Sequence, residues 1–135
     1  MSVCYLDASA LVKLATPEPE TQALRHHLAQ CAIRITSRLA TVEVARAVRR
    51  RGRPSAALAD EIAKAFEGLA IVELDESVAA TAGGLDPATL RSLDAVHLAS
   101  ALSLGEEGTS FVTYDLRLAH AAGAAGLEVI APVPG

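Results

Sequence analysis

Five short apolar runs alternate along the chain with stretches of helical periodicity, and this alternation is the strongest constraint on its fold. The runs occupy residues 2–6, 32–36, 70–74, 109–113 and 127–130. Helical patterns fill 8–14, 20–30, 55–67, 75–82, 91–104 and 115–125, and a further helix capped by Ser37 runs through Leu39, Val42, Val44, Ala45 and Val48. Breakers punctuate them: Thr16-Pro17-Glu18-Pro19, Gly52-Arg53-Pro54, Gly68, Gly83-Gly84, Asp86-Pro87, the 105–108 loop and Pro132. Strands joined through helices pair in parallel, because a parallel crossover needs room for a helix. The expectation is an α/β fold, with residues 1–135 forming a single domain around a parallel five-stranded sheet with helices on both faces.

A chain of 135 residues buries roughly two-thirds of its unfolded surface as one domain. It is 51% hydrophobic but only 3% aromatic, so its core is expected to be built from Ala, Val, Leu and Ile. No apolar run approaches bilayer length, and Met1 leads into the first strand without a basic segment or cleavage site. The chain is therefore read as cytoplasmic. Cys4 and Cys31 lack metal-type spacing and lie in or beside apolar segments, so they are expected as buried reduced thiols. His26 and His27 are expected as surface and packing residues.

The formal net charge of -4 argues against a protein that holds nucleic acid by overall charge. Five of the ten arginines nevertheless fall within residues 46–53. That cluster is an RNA phosphate track, a landing site for an acidic partner segment, or a solvated helix end.

Four carboxylates occupy informative positions. Asp7 follows the first strand and opens a helix, where open α/β sheets place ligands. Asp115 stands in the same relation to the fourth strand, so both are expected along one carboxyl edge. Asp94 lies at the start of an apolar helix, where an unpaired charge is costly and demands a partner. Glu43 is the polar residue of an otherwise apolar helical turn. Each also has an ordinary reading: Asp7 and Asp115 as helix caps, Glu43 paired with Arg46 or Arg50, Asp94 hydrogen-bonded to His97. If the four converge, their mutual repulsion calls for a cation, and oxygen-only ligands suit Mg²⁺ or Mn²⁺. One ion, or two about 3.5–4 Å apart, activates water for in-line attack on a phosphodiester.

These residues resemble the PIN-domain family, and within it the VapC-type toxins of bacterial toxin–antitoxin pairs. The resemblance is carried by Tyr5-Leu6-Asp7-Ala8-Ser9-Ala10-Leu11-Val12-Lys13-Leu14, by Glu43 in its Ala- and Arg-rich helix, by Leu93-Asp94-Ala95-Val96-His97-Leu98-Ala99-Ser100-Ala101, and by Thr113-Tyr114-Asp115 followed by Arg117-Leu118. It spans nearly the whole chain. It implies a metal-dependent ribonuclease whose acidic site is Asp7, Glu43, Asp94 and Asp115. Asp7 and Asp94 would be direct metal ligands, with Glu43 and Asp115 acting through water or on a second ion. Ser9 matches a small hydroxyl position near the metal and Thr113 a polar position before the fourth acid. The resemblance further implies a homodimer and a cognate antitoxin whose tail enters the active-site groove. His97 is expected to pack or hydrogen-bond rather than ligate, and His120 to be exposed.

Other readings fit less well. An aspartyl-phosphate enzyme would want a second Asp where Ser9 stands, and a phospho-receiver domain a Lys after the last strand, whereas the only lysines are Lys13 and Lys64. No phosphate-cradling Gly-rich loop is present. The alternative of another class is a catalytically silent PIN-like scaffold that binds RNA or protein.

Overall fold

The computed structural model describes residues 2–52, 55–105 and 107–135. Arg53 and Pro54, expected to help end the third helix, and Glu106 of the expected 105–108 loop lie outside them. The elements run β1 (Val3–Leu6), α1 (Ala8–Ala15), α2 (Thr21–Ala29), β2 (Ile33–Ser37), α3 (Arg38–Arg50), α4 (Ser55–Phe66), β3 (Ala70–Val72), α5 (Glu76–Gly83), α6 (Ser92–Leu102), β4 (Ser110–Val112), α7 (Leu116–Ala124) and β5 (Glu128–Ile130). The strands form one sheet in the order β3-β2-β1-β4-β5, and every pairing is parallel. The order reverses at β1, which pairs with β2 on one side and β4 on the other. The cleft where ligands settle in such sheets therefore opens between the ends of β1 and β4.

β1 is buried along its whole length, and the period of two along a strand divides its side chains between two cores. Cys4 and Leu6 join Val112, Leu11, Leu24, Val44 and Val48 on the side covered by α1 to α4. Val3 and Tyr5 join Ile35, Phe111, Leu98 and Leu118 on the opposite side, with α6 and α7. The helices are therefore on both faces, as expected. The nearly continuous apolar character of α6 has the expected cause, since Ala95, Leu98, Ala99 and Ala101 are all buried.

Several elements are shorter than their sequence patterns. β3 stops at Val72 because its ladder partner β2 ends at Ser37, opposite Val72; Glu73 beyond it accepts two hydrogen bonds of 2.9 and 2.8 Å from the Arg38 guanidinium. α6 begins at Ser92, because Arg91 holds an extended backbone as its N-cap. Gly68 ends the α4 segment with φ +76°, a conformation that a side chain would disfavour.

One expectation is overturned: Cys4 and Cys31 are not reduced thiols but form a disulfide, with Cα atoms 6.1 Å apart. The chain leaving α2 passes beside the start of β1, where the amides of Ala32 and Ile33 both donate to the Ser2 carbonyl at 3.1 Å. That crossing brings two sulfurs together that sit 27 residues apart in sequence, a distance at which spacing carries no signal.

Leu11 is fully buried in the α1–α4 core, whereas Val42 is 58% exposed. Leu11→Ala is therefore expected to lower unfolding free energy by about 2–5 kcal/mol, and Val42→Ala by less than about 0.5, measured by urea denaturation.

Candidate active site

The end of β1 delivers Asp7 into the cleft, and the local sequence fixes its carboxylate from three directions. Asp7 is the N-cap of α1: its Oδ1 accepts from the Ala10 amide at 3.1 Å and from the Ser9 hydroxyl at 2.7 Å. Its Oδ2 accepts from the Thr113 hydroxyl, just past β4, at 2.6 Å. The two β-strand ends are thus joined through side chains as well as through the ladder, where the Asp7 amide donates to the Val112 carbonyl at 3.2 Å. Ser9 and Thr113 are themselves anchored, accepting from the amides of Tyr114 at 2.9 Å and Asp115 at 3.1 Å. The ordinary reading of Asp7 as a helix cap therefore holds, and the residue stands at the end of β1 beside β4.

Only 3% of Asp7 is exposed, and burial raises its carboxyl above the ordinary value of 3.8. The hydrogen bonds from Thr113 and Ser9, the nearby His97 and the Ala10 amide pull the other way without reversing the shift. The anion is costly here, which is the condition under which a cation in the cleft would be favourable.

Asp115 caps α7, its Oδ1 accepting from the amides of Arg117 and Leu118 at 2.9 and 3.1 Å. Its Oδ2 is left towards Arg91, whose Nη2 lies 3.4 Å away, while the Arg91 Nε reaches Asp94 Oδ2 at 3.3 Å. Arg91 thereby spans two of the four acids. Asp94 does not bond His97, as one reading had it; the first turn of α6 instead points it back to its own N-cap residue. Glu43 does not turn to Arg46 or Arg50 either. Its Oε1 lies 2.5 Å from His97 Nε2, and the His97 Nδ1 lies 2.8 Å from the Tyr5 hydroxyl. The His97 ring thus bridges the Glu43 carboxyl and the Tyr5 hydroxyl, one ring nitrogen to each. Burial raises the Tyr5 hydroxyl pKa well above its ordinary range, so Tyr5 stays a donor.

The expected residues fall into three linked groups: Asp7 with Ser9 and Thr113, Asp94 with Asp115 through Arg91, and Glu43 with Tyr5 through His97. Among the described residues, no three of the four carboxylates offer oxygens within 4.8 Å of one another. A cavity of about 560 Å³ opens beside Asp94, lined by Leu90, Arg91, Leu116, Arg117 and His120 among others. Sequence reading missed Arg91 and Tyr5. Arg91 lies one helical turn before Asp94, and Tyr5 is a hydroxyl in a buried strand that needs a partner, so each carried a local signal.

The model of the PIN domain family matches residues 4–124. The chain belongs to the PIN-domain family. Within it, its sequence is similar to the VapC proteins: it is 46% identical over 132 residues to Ribonuclease VapC46 of Mycobacterium tuberculosis, covering 98% of this chain and 99% of that one. The same PIN fold is seen in the crystal structure of VapC20 from Mycobacterium tuberculosis, described as a sarcin–ricin loop cleaving toxin. The two match with a TM-score of 0.72 at 17% identity, over 96% of this chain and 99% of that one. A toxin–antitoxin complex from Klebsiella pneumoniae matches with a TM-score of 0.71 at 16% identity, over 98% and 99% of the chains.

The raised Asp7 carboxyl has a consequence for stability. The folded chain holds this proton more tightly than the unfolded chain, so the contribution favours folding fully below the unfolded value and is lost as pH rises through the folded one. At neutral pH the Asp7 anion costs stability. Asp7→Asn keeps the shape and can still accept from Ala10. In EDTA it is expected to melt above the wild type at pH 7.5, with the gap closing as pH falls towards 4. Thermal melts of both proteins across that range provide the check.

Proposed function

We propose that this PIN domain is a divalent-cation-dependent endoribonuclease that acts as the toxin of a toxin–antitoxin pair. The observation that carries the reading is Asp7, a buried carboxylate of raised pKa where β1 ends beside β4, held by the hydroxyls of Ser9 and Thr113. The ribonuclease name of the 46% identical relative gives the substrate class.

The donor set fits Mg²⁺ or Mn²⁺, since it offers carboxylate and hydroxyl oxygens and no thiolate. Asp7 and Asp94 would hold the ion directly, and Glu43 and Asp115 through water or on a second ion. Such an ion supplies an activated water and offsets charge on the phosphodiester. The chain does the rest. Ser9 and Thr113 lock the Asp7 carboxylate so that its lone pairs keep one direction. His97, backed by Tyr5, holds Glu43 at the cleft wall, where its free oxygen can accept a proton. Arg91, 66% exposed at its side chain, can follow a phosphate where it now spans two acids.

Apolar surface accompanies the acids. Val42 beside Glu43, Leu93 beside Asp94 and Leu116 beside Asp115 are 58%, 50% and 86% exposed. This rim supports the partner side of the reading: an antitoxin segment over the cleft, and a second copy of the chain. The exposed Arg46, Arg49, Arg50 and Arg51 of the cationic cluster continue from the helix that carries Glu43, and extend the path available to RNA. Acting on RNA, the protein would work in the cytoplasm; no helix among the described residues is long and apolar enough to cross a membrane.

Incubation of folded, antitoxin-free protein with total RNA tests the proposal. Discrete cuts are expected with Mg²⁺ or Mn²⁺ and none with EDTA, and Asp7→Asn and Asp94→Asn are each expected to lose at least about a hundredfold in rate while keeping the fold. Cleavage by a well-folded Asp94→Asn removes that residue from the mechanism, and cleavage in EDTA removes the cation. No cutting by the wild type favours the silent scaffold.

A further inference from the structure

On the opposite side of Leu6 from Asp7, β1 carries a second cluster of ligand-type side chains that the nuclease reading does not use. Cys4, His27 and Cys31 each offer one ligand atom, and these atoms all lie within 4.8 Å of one another. Cys4 and Cys31 are buried and His27 is half-buried, its Nε2 3.8 Å from the Cys4 Sγ. His27, in the last turn of α2, and Cys31, just past its C-cap, stand four positions apart, a local spacing found in zinc sites, and the third ligand comes from the adjacent strand.

We propose that, when the Cys4–Cys31 disulfide is reduced, Cys4, His27 and Cys31 bind one zinc ion, with water as its fourth ligand. Tetrahedral zinc places a sulfur and a nitrogen ligand about 3.6 Å apart and two sulfurs about 3.8 Å apart. The His27–Cys4 separation already meets the first distance closely, and Cα atoms 6.1 Å apart allow the second through side-chain rotation once the sulfurs are no longer bonded. The half-buried ring of His27 gives the ion its access.

The chemistry balances with a dithiol as reductant: it donates two electrons and two protons, becomes a disulfide itself, and leaves two thiols on the chain. Zinc then displaces both thiol protons to solvent. Two thiolates and Zn²⁺ form a neutral group, which suits burial better than separate charges. The partial negative charge at the C-terminal end of α2 further favours a cation there. Soft thiolates separate this site from the carboxylate cleft, which selects hard ions. The two sites, and the two readings, stand independently.

Cobalt(II) is the probe. The full chain, reduced with a phosphine under argon, is titrated with Co²⁺ and followed by absorbance. A thiolate-to-cobalt charge-transfer band is expected to saturate at about one ion per chain and to vanish on adding Zn²⁺. The band persists in Asp7→Asn, disappears in Cys31→Ser, and needs about tenfold or more Co²⁺ in His27→Ala. His27→Ala keeps both thiols, so it remains decisive if Cys31→Ser does not fold. No charge-transfer band from reduced, folded protein overturns the proposal, as does a His27→Ala titration that matches the wild type.

Discussion

The buried carboxylate of Asp7 is the interaction on which the rest of the structure depends. A fully buried strand ends there, a helix starts there, and the side chain of Thr113 ties it to the end of β4. Each of those constraints makes the anion better placed and none removes its cost, because the donors are neutral and the carboxylate is buried. The arrangement gives up stability to hold one charge in one orientation, which is the usual condition of a site built for an ion or a reaction.

The position follows from topology. A sheet ordered β3-β2-β1-β4-β5 has its single reversal between β1 and β4, so the helices that follow those two strands diverge and leave a cleft at their ends. Asp7 and Asp115 follow the two strands that flank it, while Glu43 and Asp94 stand on α3 and α6, which pack on opposite faces of the sheet. Arg91 and His97 occupy the spaces between the acids: Arg91 bonds to both Asp94 and Asp115, and His97 joins Glu43 to the strand that carries Asp7. Arg91 thereby pairs two of the carboxylates, and His97 ties a third to β1.

Most of the fold was legible in the sequence because period and punctuation agree: apolar strands, apolar helical stripes, and breakers between them. The parallel sheet, the two helical layers and the placement of Asp7 and Asp115 on one edge all followed from that agreement. What local pattern does not encode is contact across long separations. The disulfide between Cys4 and Cys31, the turn of Glu43 to His97 rather than to its helical neighbours, and the span of Arg91 each depend on how elements pack. β3 also ran short of its pattern because its partner strand β2 gives way to α3 after Ser37. Family membership is fixed by the match over residues 4–124, whereas the roles of the individual acids rest on the chemistry argued above.

The measurement that tests the central claim most directly is anomalous X-ray scattering from crystals of the antitoxin-free protein soaked in Mn²⁺ at neutral pH. The account predicts a manganese peak in the β1/β4 cleft at ligand distance from carboxylate oxygens of Asp7 and Asp94, with the Arg91 guanidinium displaced from Asp94. A cleft without manganese while Asp7 keeps only its bonds to Ser9, Ala10 and Thr113, or an ion bound without Asp7, would contradict it.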